Sequence, residues 1–283
     1  MKTVLVTGAT GALGKVIIER LRQVSHINVV APNRNSGDVN DCKLDVCNSE
    51  QLVAVIEKVA PSLVLHLAAT FTTDFDEAYA VNVESARQIL ETVHHSGIKT
   101  RVLLVGSAAE YGIVQPEDNP ICESRLLKPV SVYGLTKAWQ SQLACVYNNR
   151  GVDVVVARVF NLYGPGLSDS LFIGRLEKQI NEVLMGTKSL IELGSLEATR
   201  DYISTDEAAN QILAIAEHGE SGEVYHVASG LPMTMRQILN NYLAIHNLDA
   251  SSVNESPDLT NRIGYDVPVI FADVTKTIQL MNL

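Results

Sequence analysis

Short runs of consecutive apolar residues alternate along the chain with longer segments whose apolar positions recur at helical spacing. The runs are rich in β-branched residues, which is typical of strands buried on both faces of a parallel sheet. They lie at Val4–Val6, Asn28–Val30, Leu63–Leu65, Val102–Val105 and Val154–Val156. The helical segments between them are Leu13–Gln23, Ser49–Val59, Asp76–His95 and Tyr133–Asn149. This alternation predicts an α/β fold with a doubly wound parallel sheet.

The pattern becomes less regular after residue 164. It predicts helices at Phe172–Met185, Asp206–His218 and Thr234–Ile245, strands at Ser189–Leu193 and Glu223–Ala228, and a short helix after Asp273. No linker rich in serine or glycine separates the two parts, so we predict a smaller mixed α/β lobe packed on the first domain. The predicted first domain comprises residues 1–164 with a returning segment at about 201–228, and the lobe comprises residues 165–200 and 229–283.

Composition and charge exclude several classes of protein. The 22 basic and 32 acidic residues among 283 give a formal net charge of −10, whereas a nucleic-acid binder needs a basic surface. A hydrophobic content of 46% with 19% charged residues indicates a folded chain. No apolar run approaches the roughly 20 residues of a membrane span, and the first residues lack a signal-peptide pattern. We therefore expect a cytoplasmic protein that binds neither nucleic acid nor membrane.

The four cysteines, Cys42, Cys47, Cys122 and Cys145, are scattered without C-x-x-C spacing or a nearby histidine pattern. This predicts reduced, mostly buried thiols, as expected in the cytoplasm. It also predicts no metal site.

A glycine-rich turn lies between the first predicted strand and the first predicted helix. It reads T-G-A-T-G-A-L-G from Thr7 to Gly14. Gly8 allows a tight turn, Gly11 lets the backbone approach a pyrophosphate, and Gly14 permits close packing of helix and strand. The free N–H groups at the helix N-terminus attract the anion. Because the glycines follow a strand and open a helix, the turn predicts a dinucleotide site; the alternative is a βα turn without a ligand.

Tyr133 and Lys137 form a Y-x-x-x-K pair on a predicted helix. Residues four apart lie on one helix face, so the ammonium group is expected beside the phenol. A nearby cation lowers the pKa of a tyrosine from its ordinary value near 10 and makes proton transfer at neutral pH easier. The pair therefore predicts a proton-transfer site, and the alternative is that Tyr133 packs in the core.

These motifs resemble the extended short-chain dehydrogenase/reductase family, in its branch of nucleotide-sugar epimerases, dehydratases and reductases. The R-x-F-N-x-Y-G-P-G run at Arg158–Gly166 and the R-D-Y-I run at Arg200–Ile203 also match that branch. The resemblance covers nearly the whole chain and implies a Rossmann-type NAD(P)-binding domain, a substrate-binding lobe and a homodimer. Within the branch, the chain is most similar to the reductases that act on GDP-4-dehydro-6-deoxy-D-mannose.

The resemblance implies a catalytic set of Ser107, Tyr133 and Lys137. Ser107 would hydrogen-bond the reacting oxygen of the substrate, and Tyr133 would give or take the proton. Lys137 would tune Tyr133 and hold the nicotinamide ribose. The alternative is that Ser107 only caps a turn.

The resemblance also implies the cofactor-binding residues. They are Gly8, Thr10, Gly11, Ala12, Leu13, Gly14, Asn33, Arg34, Asp45, Val46, Leu67, Ala68, Ala69, Asn82, Val105, Tyr133 and Lys137. Asp45 would end the third strand of the sheet and contact the adenine amine, and Asn82 would steady the active site. At the end of the second strand no acid is present to bind a ribose 2′-hydroxyl, and Arg34 suits a 2′-phosphate. NADP (NADPH) is therefore expected in preference to NAD; the alternative is that Arg34 is a solvated loop residue.

The implied substrate contacts are Ser107, Asn161, Phe172, Arg175 and Arg200. Asn161 and Arg200 would bind the diphosphate, for which a guanidinium offers a bidentate fork. Phe172 would approach the base and Arg175 a phosphate. The alternatives for these two are a packing residue and a surface residue.

Two alanines separate the chain from one class of its relatives. Sugar-nucleotide 4,6-dehydratases carry an Asp-Glu pair directly after the Ser/Thr of the active site, and Ala108 and Ala109 occupy these positions. Elimination of water then lacks its acid and base. Glu110 lies one position later, so we expect it at the surface; the alternative is a substrate contact.

The sequence leaves three functional hypotheses. The first is NADPH-dependent reduction of the C4 keto group of a nucleotide-linked 4-keto-6-deoxyhexose. The second is a 4-epimerase that uses the same residues with tightly held NAD. The third is a non-enzymatic NADP-binding sensor, although sensors of this type usually lack the tyrosine or the lysine.

Overall fold

The structure is a computed structural model that describes residues 2–34, 43–259 and 267–283. Its strands are β1 (Lys2–Thr7), β2 (Ile27–Val30), β3 (Leu63–His66), β4 (Arg101–Ser107), β5 (Asp153–Val159), β6 (Asn161–Tyr163), β7 (Ile191–Leu193), β8 (Thr199–Ser204), β9 (Val224–Val227), β10 (Pro232–Thr234), β11 (Val253–Glu255) and β12 (Val269–Ile270). Its α-helices are α1 (Ala12–Arg22), α2 (Ser49–Val59), α3 (Phe75–Tyr79), α4 (Ser85–Ser96), α5 (Val132–Asn148), α6 (Phe172–Leu184), α7 (Thr205–His218), α8 (Met235–Ile245) and α9 (Thr275–Met281).

The central sheet of the described structure has six parallel strands in the order β2-β1-β3-β4-β5-β9. The strand order reverses beside β1, which lies between β2 and β3, and such switch points are where doubly wound sheets bind ligands. Thr7 is in register with His66, and Ser107 with Val159. The carboxyl ends of these strands therefore lie along one edge. The predicted Rossmann-type α/β fold is confirmed.

Helices cover both faces of this sheet. Val4 and Val6 pack with α1 and α7 on one face, whereas Leu5 packs with α2, α4 and α5 on the other. Alternate residues of one strand thus enter two cores, which explains why the strands are apolar throughout. Burial of each such side chain contributes about 1.5–3 kcal/mol. Among the helices of the described ranges, none is long and apolar enough to cross a membrane.

A smaller mixed lobe follows. In it β8 pairs with β6, β10 and β12, while β7 pairs with β11. Helices α6 and α8 share a core that includes Leu176, Ile180 and Leu239. A further cluster around Tyr111 and Phe160 joins the lobe to the central sheet. β9 returns to the central sheet, and the residue limits of the two domains stay a prediction.

The structure refines one secondary-structure expectation and adds strands to another part of the chain. Residues Asp76–His95 are helical as predicted, but a π-helical turn at Ala80–Glu84 interrupts the α-helical hydrogen bonding between α3 and α4. The sequence also did not predict β6, β8, β10, β11 and β12. These strands have two to six residues, and so short a run carries little period-2 pattern.

The prediction of mostly buried thiols is wrong for the described cysteines. Cys47, Cys122 and Cys145 are exposed, and Cys42 lies outside the described residues. Cys145 lies on the outward face of α5, and Cys47 in the turn before α2. Composition alone does not show which face of a helix or turn a cysteine occupies.

Candidate active site

The glycine turn after β1 packs directly against the segment that follows β3. Gly8 has φ +75°, and a Cβ there would lie 2.6 Å from the Ala68 nitrogen and 2.7 Å from the Leu67 carbonyl carbon. A Cβ at Gly14 would lie 2.4 Å from the Gly8 oxygen. At Gly11, a Cβ would lie 3.4 Å from the Gly8 oxygen, which is an ordinary van der Waals contact, and the residue is exposed. Gly8 and Gly14 are therefore required by packing, and Gly11 leaves room for a ligand.

The N-terminus of α1 supplies the donors for an anion. Gly11 is its N-cap, no side chain caps the helix, and its first turn contains no acid. The amides of Ala12 and Leu13 belong to the first turn, whose N–H groups have no partner within the helix. They carry the positive end of the helix dipole. This cradle fits the pyrophosphate of a dinucleotide.

A cleft of about 480 Å³ runs along α1 from the glycine turn to the last turn of the helix and also borders the segment after β2. Thr10 and Asn33, both predicted cofactor residues, line it together with Lys15, Glu19 and Arg22. Arg34 follows Asn33 and is exposed. Lys15 did not emerge from the sequence motif, because its position directly after Gly14 gives no sign of which side of α1 it occupies.

The predicted adenine contact, Asp45, lies in a turn and not at the end of a strand. Beyond β2, a single parallel bridge joins Asn33 to Lys43. The chain then turns, and the Asp45 carboxylate accepts the Cys47 amide at 3.1 Å. The expected third strand that ends at Asp45 and Val46 is therefore absent from the described residues. A side-chain hydrogen bond takes the place of strand pairing for this part of the backbone.

Asn82 connects the loop after β3 to α5. It is fully buried within the π-helical turn, and its Nδ2 donates to Thr136 Oγ1 at 3.0 Å and to the Thr70 oxygen at 3.1 Å. Its Oδ1 accepts the Thr70 amide at 2.9 Å. Thr136 in turn donates to the Tyr133 carbonyl at 3.0 Å. π-Helical turns such as the one that contains Asn82 are frequent at functional sites. Ala69, a predicted cofactor residue just before the loop, is exposed.

Ser107, Tyr133 and Lys137 are brought together where β4 meets α5. Ser107 ends β4, and its side chain interacts with the Tyr133 phenol. A Cβ at Gly134 would lie 2.4 Å from the Ala109 oxygen, so the start of α5 packs tightly against the turn after β4. Lys137 follows one helical turn later and is buried. The predicted catalytic residues thus share one site.

The ionisation of this site differs from the sequence expectation. Removal of the phenol from water raises the pKa of Tyr133 to about 12, while the Ser107 interaction opposes the rise. The expected lowering of the Tyr133 pKa by Lys137 is therefore wrong. The ammonium group of Lys137 donates to Gln140 Oε1, and Gln140 Nε2 lies 3.4 Å from the Val105 oxygen. Burial lowers the pKa of Lys137 to about 8.

His66 lies at the end of β3 and is fully buried. Its Nδ1 lies 2.8 Å from Thr7 Oγ1, and its Nε2 lies 3.1 Å from Ser85 Oγ. Ser85 Oγ already donates to the Val81 oxygen at 2.6 Å, so it accepts from Nε2–H and Thr7 donates to Nδ1. Burial and the charge of Lys137 lower the pKa of His66 to about 3, so the ring is neutral at neutral pH.

Glu110 is not a surface acid. It is fully buried beside the catalytic site, where it pairs with Arg158 at 2.9 Å and accepts the Ser107 amide at 2.7 Å. The sequence gave no sign of this, because the partner cation lies 48 positions further along the chain.

The predicted substrate residues divide into two groups. Asn161 lies on β6 and donates to the Asp201 oxygen at 3.1 Å, and Arg200 is buried on the adjoining β8. Phe172, at the start of α6, is buried in the lobe core, and Arg175 is exposed. Both positions agree with the alternatives to a substrate role: Phe172 is a packing residue, and Arg175 is a surface residue.

A family model described as the NAD dependent epimerase/dehydratase family matches residues 4–228. The GDP-6-deoxy-D-mannose reductase of Pseudomonas aeruginosa is 29% identical over 188 residues, which cover 63% of the chain and 61% of that enzyme. The GDP-6-deoxy-D-talose 4-dehydrogenase of Aggregatibacter actinomycetemcomitans is 27% identical over 286 residues, which cover 99% of the chain and 91% of that enzyme. The solved structure of RMD from Pseudomonas aeruginosa complexed with NADPH has a TM-score of 0.86 at 21% identity, covers 100% of the chain and 93% of that structure, and shows the shared fold.

Proposed function

Because the chain is a nucleotide-sugar enzyme that belongs to the NAD-dependent epimerase/dehydratase family, we propose that it reduces the C4 keto group of a GDP-linked 4-keto-6-deoxyhexose with NADPH. The main support is the position of the Tyr133 phenol, which interacts with the Ser107 side chain and lies one helical turn from the buried Lys137. Burial raises the pKa of Tyr133 to about 12, so the phenol holds its proton at neutral pH. Reduction of a ketone requires such a proton at the carbonyl oxygen.

In the proposed mechanism, Ser107, Tyr133 and Lys137 have different tasks. NADPH, when bound, supplies the hydride that forms the new C–H bond at sugar C4. The Ser107 hydroxyl orients the carbonyl oxygen and stabilises the charge that develops on it. Tyr133 gives its proton to the same oxygen, which completes the hydroxyl group. The buried Lys137 ammonium stabilises the phenolate that remains and holds the nicotinamide ribose.

The α1 cradle and the adjoining cleft support the proposed cofactor. The amides of Ala12 and Leu13 would bind the pyrophosphate, and Gly11 would let it approach the backbone. Arg34, directly after Asn33, would bind the 2′-phosphate of NADP, and the lining of the cleft carries two further cations, Lys15 and Arg22, and one acid, Glu19. NAD is the alternative, and it belongs to the 4-epimerase hypothesis.

The lobe supports a diphosphate-linked substrate. Asn161 and Arg200 lie on neighbouring strands of the small sheet, with Asn161 in register with Tyr202. We propose that these two side chains bind the diphosphate. Both relatives are named for GDP-linked 6-deoxy sugars, which favours guanine as the base.

We further propose that the protein is a cytoplasmic homodimer. Phe75, Tyr79 and Trp139 form a cluster of aromatic rings with centroids 5.9–6.3 Å apart on α3 and α5. Each of these residues is at least 38% exposed. A second copy packed on this face would cover the rings. Sedimentation velocity tests this, with a dimer expected for the wild type and a monomer for Trp139→Glu.

The assay that tests the function is NADPH consumption with a panel of GDP- and dTDP-linked 4-keto-6-deoxy sugars. Oxidation of NADPH with the GDP-linked substrates and reduction of their C4 keto group is the expected result. If the protein instead carries co-purified NAD and epimerises an ordinary nucleotide sugar at C4 without net loss of NADPH, it is a 4-epimerase.

A further inference from the structure

A buried ion pair lies behind the proposed catalytic residues. The Glu110 side chain is 0% exposed and that of Arg158, on β5, is 3% exposed. Glu110 Oε2 accepts from Arg158 Nε at 3.0 Å and from Nη2 at 2.9 Å. Such a pair costs desolvation free energy and is weak grounds for stability by itself. A role in placing or charging neighbouring groups gives a reason for its presence.

The carboxylate of Glu110 fixes the backbone at Ser107. Oε1 accepts the Ser107 amide at 2.7 Å, while Ser107 Oγ accepts the Ala109 amide at 3.2 Å, which closes a capping box around the end of β4. A Cβ at Gly106 would lie 2.6 Å from Oε1, so the carboxylate occupies the space of a missing side chain. Ser141 on α5 donates to Oε2 at 2.8 Å. Glu110 therefore joins β4 to the helix that carries Tyr133.

Glu110 also supplies negative charge near Lys137. Ser141, which donates to Glu110 Oε2, follows Lys137 by four residues on α5, so both lie on one face of the helix. The buried ammonium interacts with the Gln140 amide, His66 and Glu110. The Gln140 amide is neutral, and His66 is uncharged at neutral pH because its pKa is about 3. Of these groups in the described structure, Glu110 is the anionic one, and its charge opposes the lowering of the Lys137 pKa by burial.

We propose that Glu110 is a positioning residue of the ketoreductase: held by Arg158, its carboxylate fixes Ser107 against Tyr133 and, through Ser141, sets a negative charge on the face of α5 that carries Lys137. This inference rests on the proposed function for its kinetic consequences. The state of Lys137 is independent of substrate and provides a separate test.

The experiment compares three single variants with the wild type. Glu110→Gln removes the charge, and Glu110→Asp keeps the charge but shortens the reach to the Ser107 amide. Glu123→Gln is the matched control, because Glu123 belongs to the same polar cluster through the His226 amide at 3.2 Å but contacts neither Ser107 nor Lys137. The titration of Lys137 is followed by NMR on ¹³C-lysine-labelled protein, with Lys137→Arg to assign the signal.

In Glu110→Gln, the Lys137 midpoint and the alkaline limb of kcat are expected to move to lower pH. We also expect kcat to fall by roughly 10- to 100-fold with the KM for NADPH unchanged, because a small displacement of a reacting group costs this much. Glu110→Asp is expected to keep the wild-type midpoint while kcat falls, and Glu123→Gln to keep the midpoint. Glu110→Asp also serves if Glu110→Gln does not fold.

Equal Lys137 midpoints in the wild type and Glu110→Gln would overturn the proposal, whether or not the protein reduces any sugar of the panel. An unchanged kcat in Glu110→Asp would overturn the positioning of Ser107. Absence of turnover by the wild type, with a shifted midpoint in Glu110→Gln, would reject the proposed reaction and support the charge role of Glu110.

Discussion

Gly134 lies so close to the Ala109 carbonyl that a Cβ at Gly134 would come within 2.4 Å of its oxygen. This contact seats the start of α5 on the turn after β4, so Tyr133 and Ser107 face each other. The proposed chemistry therefore depends on a position that carries no functional group.

Substitution Gly134→Ala is expected to move Tyr133 away from Ser107. Because the Ala109 backbone oxygen can move away from a new methyl group only if the main chain shifts, we expect a stability loss of about 1–3 kcal/mol. A fall in kcat of about 10²-fold should accompany it, since alignment within the site is lost. Thermal unfolding and steady-state kinetics measure the two effects. Gln142→Ala, on the exposed face of the same helix, is the control and should change neither.

Substitutions at two glycines between β1 and α1 are expected to distinguish an effect on cofactor binding from an effect on stability. A Cβ at Gly11 meets nothing closer than 3.4 Å, so Gly11→Ala should leave the melting temperature nearly unchanged. The methyl group would occupy the approach to the pyrophosphate, and NADPH affinity should fall by about tenfold or more. In Gly14→Ala, the contact of 2.4 Å should lower stability as well. Fluorescence titration and thermal unfolding of both variants test this; equal NADPH affinity in Gly11→Ala and wild type would contradict it.

Replacement of Arg34 tests the preference for NADP. Loss of a charged hydrogen bond to a 2′-phosphate costs about 1.5–3 kcal/mol, so Arg34→Ala should weaken NADPH binding by roughly 10- to 100-fold. NADH, which lacks that phosphate, should bind as before. Lys58→Ala removes an exposed cation from α2 and serves as the control. Equal losses for both cofactors would show that Arg34 does not read the 2′-phosphate.

The pKa of Lys137 predicts an alkaline limit to activity. Burial lowers it from the ordinary value of 10.5 to about 8, so kcat/KM should decline as pH rises through about 8. Lys137→Arg should move this decline to higher pH if activity is retained, because a guanidinium stays charged. A profile flat from pH 7 to 10 would contradict the assignment.

The same shift predicts how stability changes with pH. Between about pH 8 and 10.5 the unfolded chain binds more protons at Lys137 than the folded protein does. The contribution of this group to the free energy of unfolding therefore rises with pH across that window. Urea unfolding of the wild type and Lys137→Met isolates the contribution as the difference between the two curves.

Motifs with local physical causes were predictable from the sequence. The glycine turn and the placement of Tyr133 and Lys137 follow from backbone requirements and helix periodicity, and the structure brings these residues to one edge of the sheet. Glu110 was misjudged because its burial depends on Arg158, a long-range partner. Helix spacing alone predicts that Lys137 lies near Tyr133 and lowers its pKa. In the structure, burial raises the pKa of Tyr133, and the Lys137 ammonium donates to Gln140.

The most direct test of the account is transfer of deuterium from NADPH labelled at both C4 positions of the nicotinamide to a GDP-linked 4-keto-6-deoxyhexose. We predict a reduced sugar nucleotide that carries one deuterium, at sugar C4, and is one mass unit heavier than the product formed with unlabelled NADPH. Tyr133→Phe should bind NADPH but lose about 10²–10⁴-fold in rate. Tyr147→Phe is the control and should match the wild type, because Tyr147 lies on the same helix as Tyr133 but its hydroxyl contacts Glu91 of α4, away from the site. A product without deuterium at C4, or undiminished transfer by Tyr133→Phe, would contradict the account.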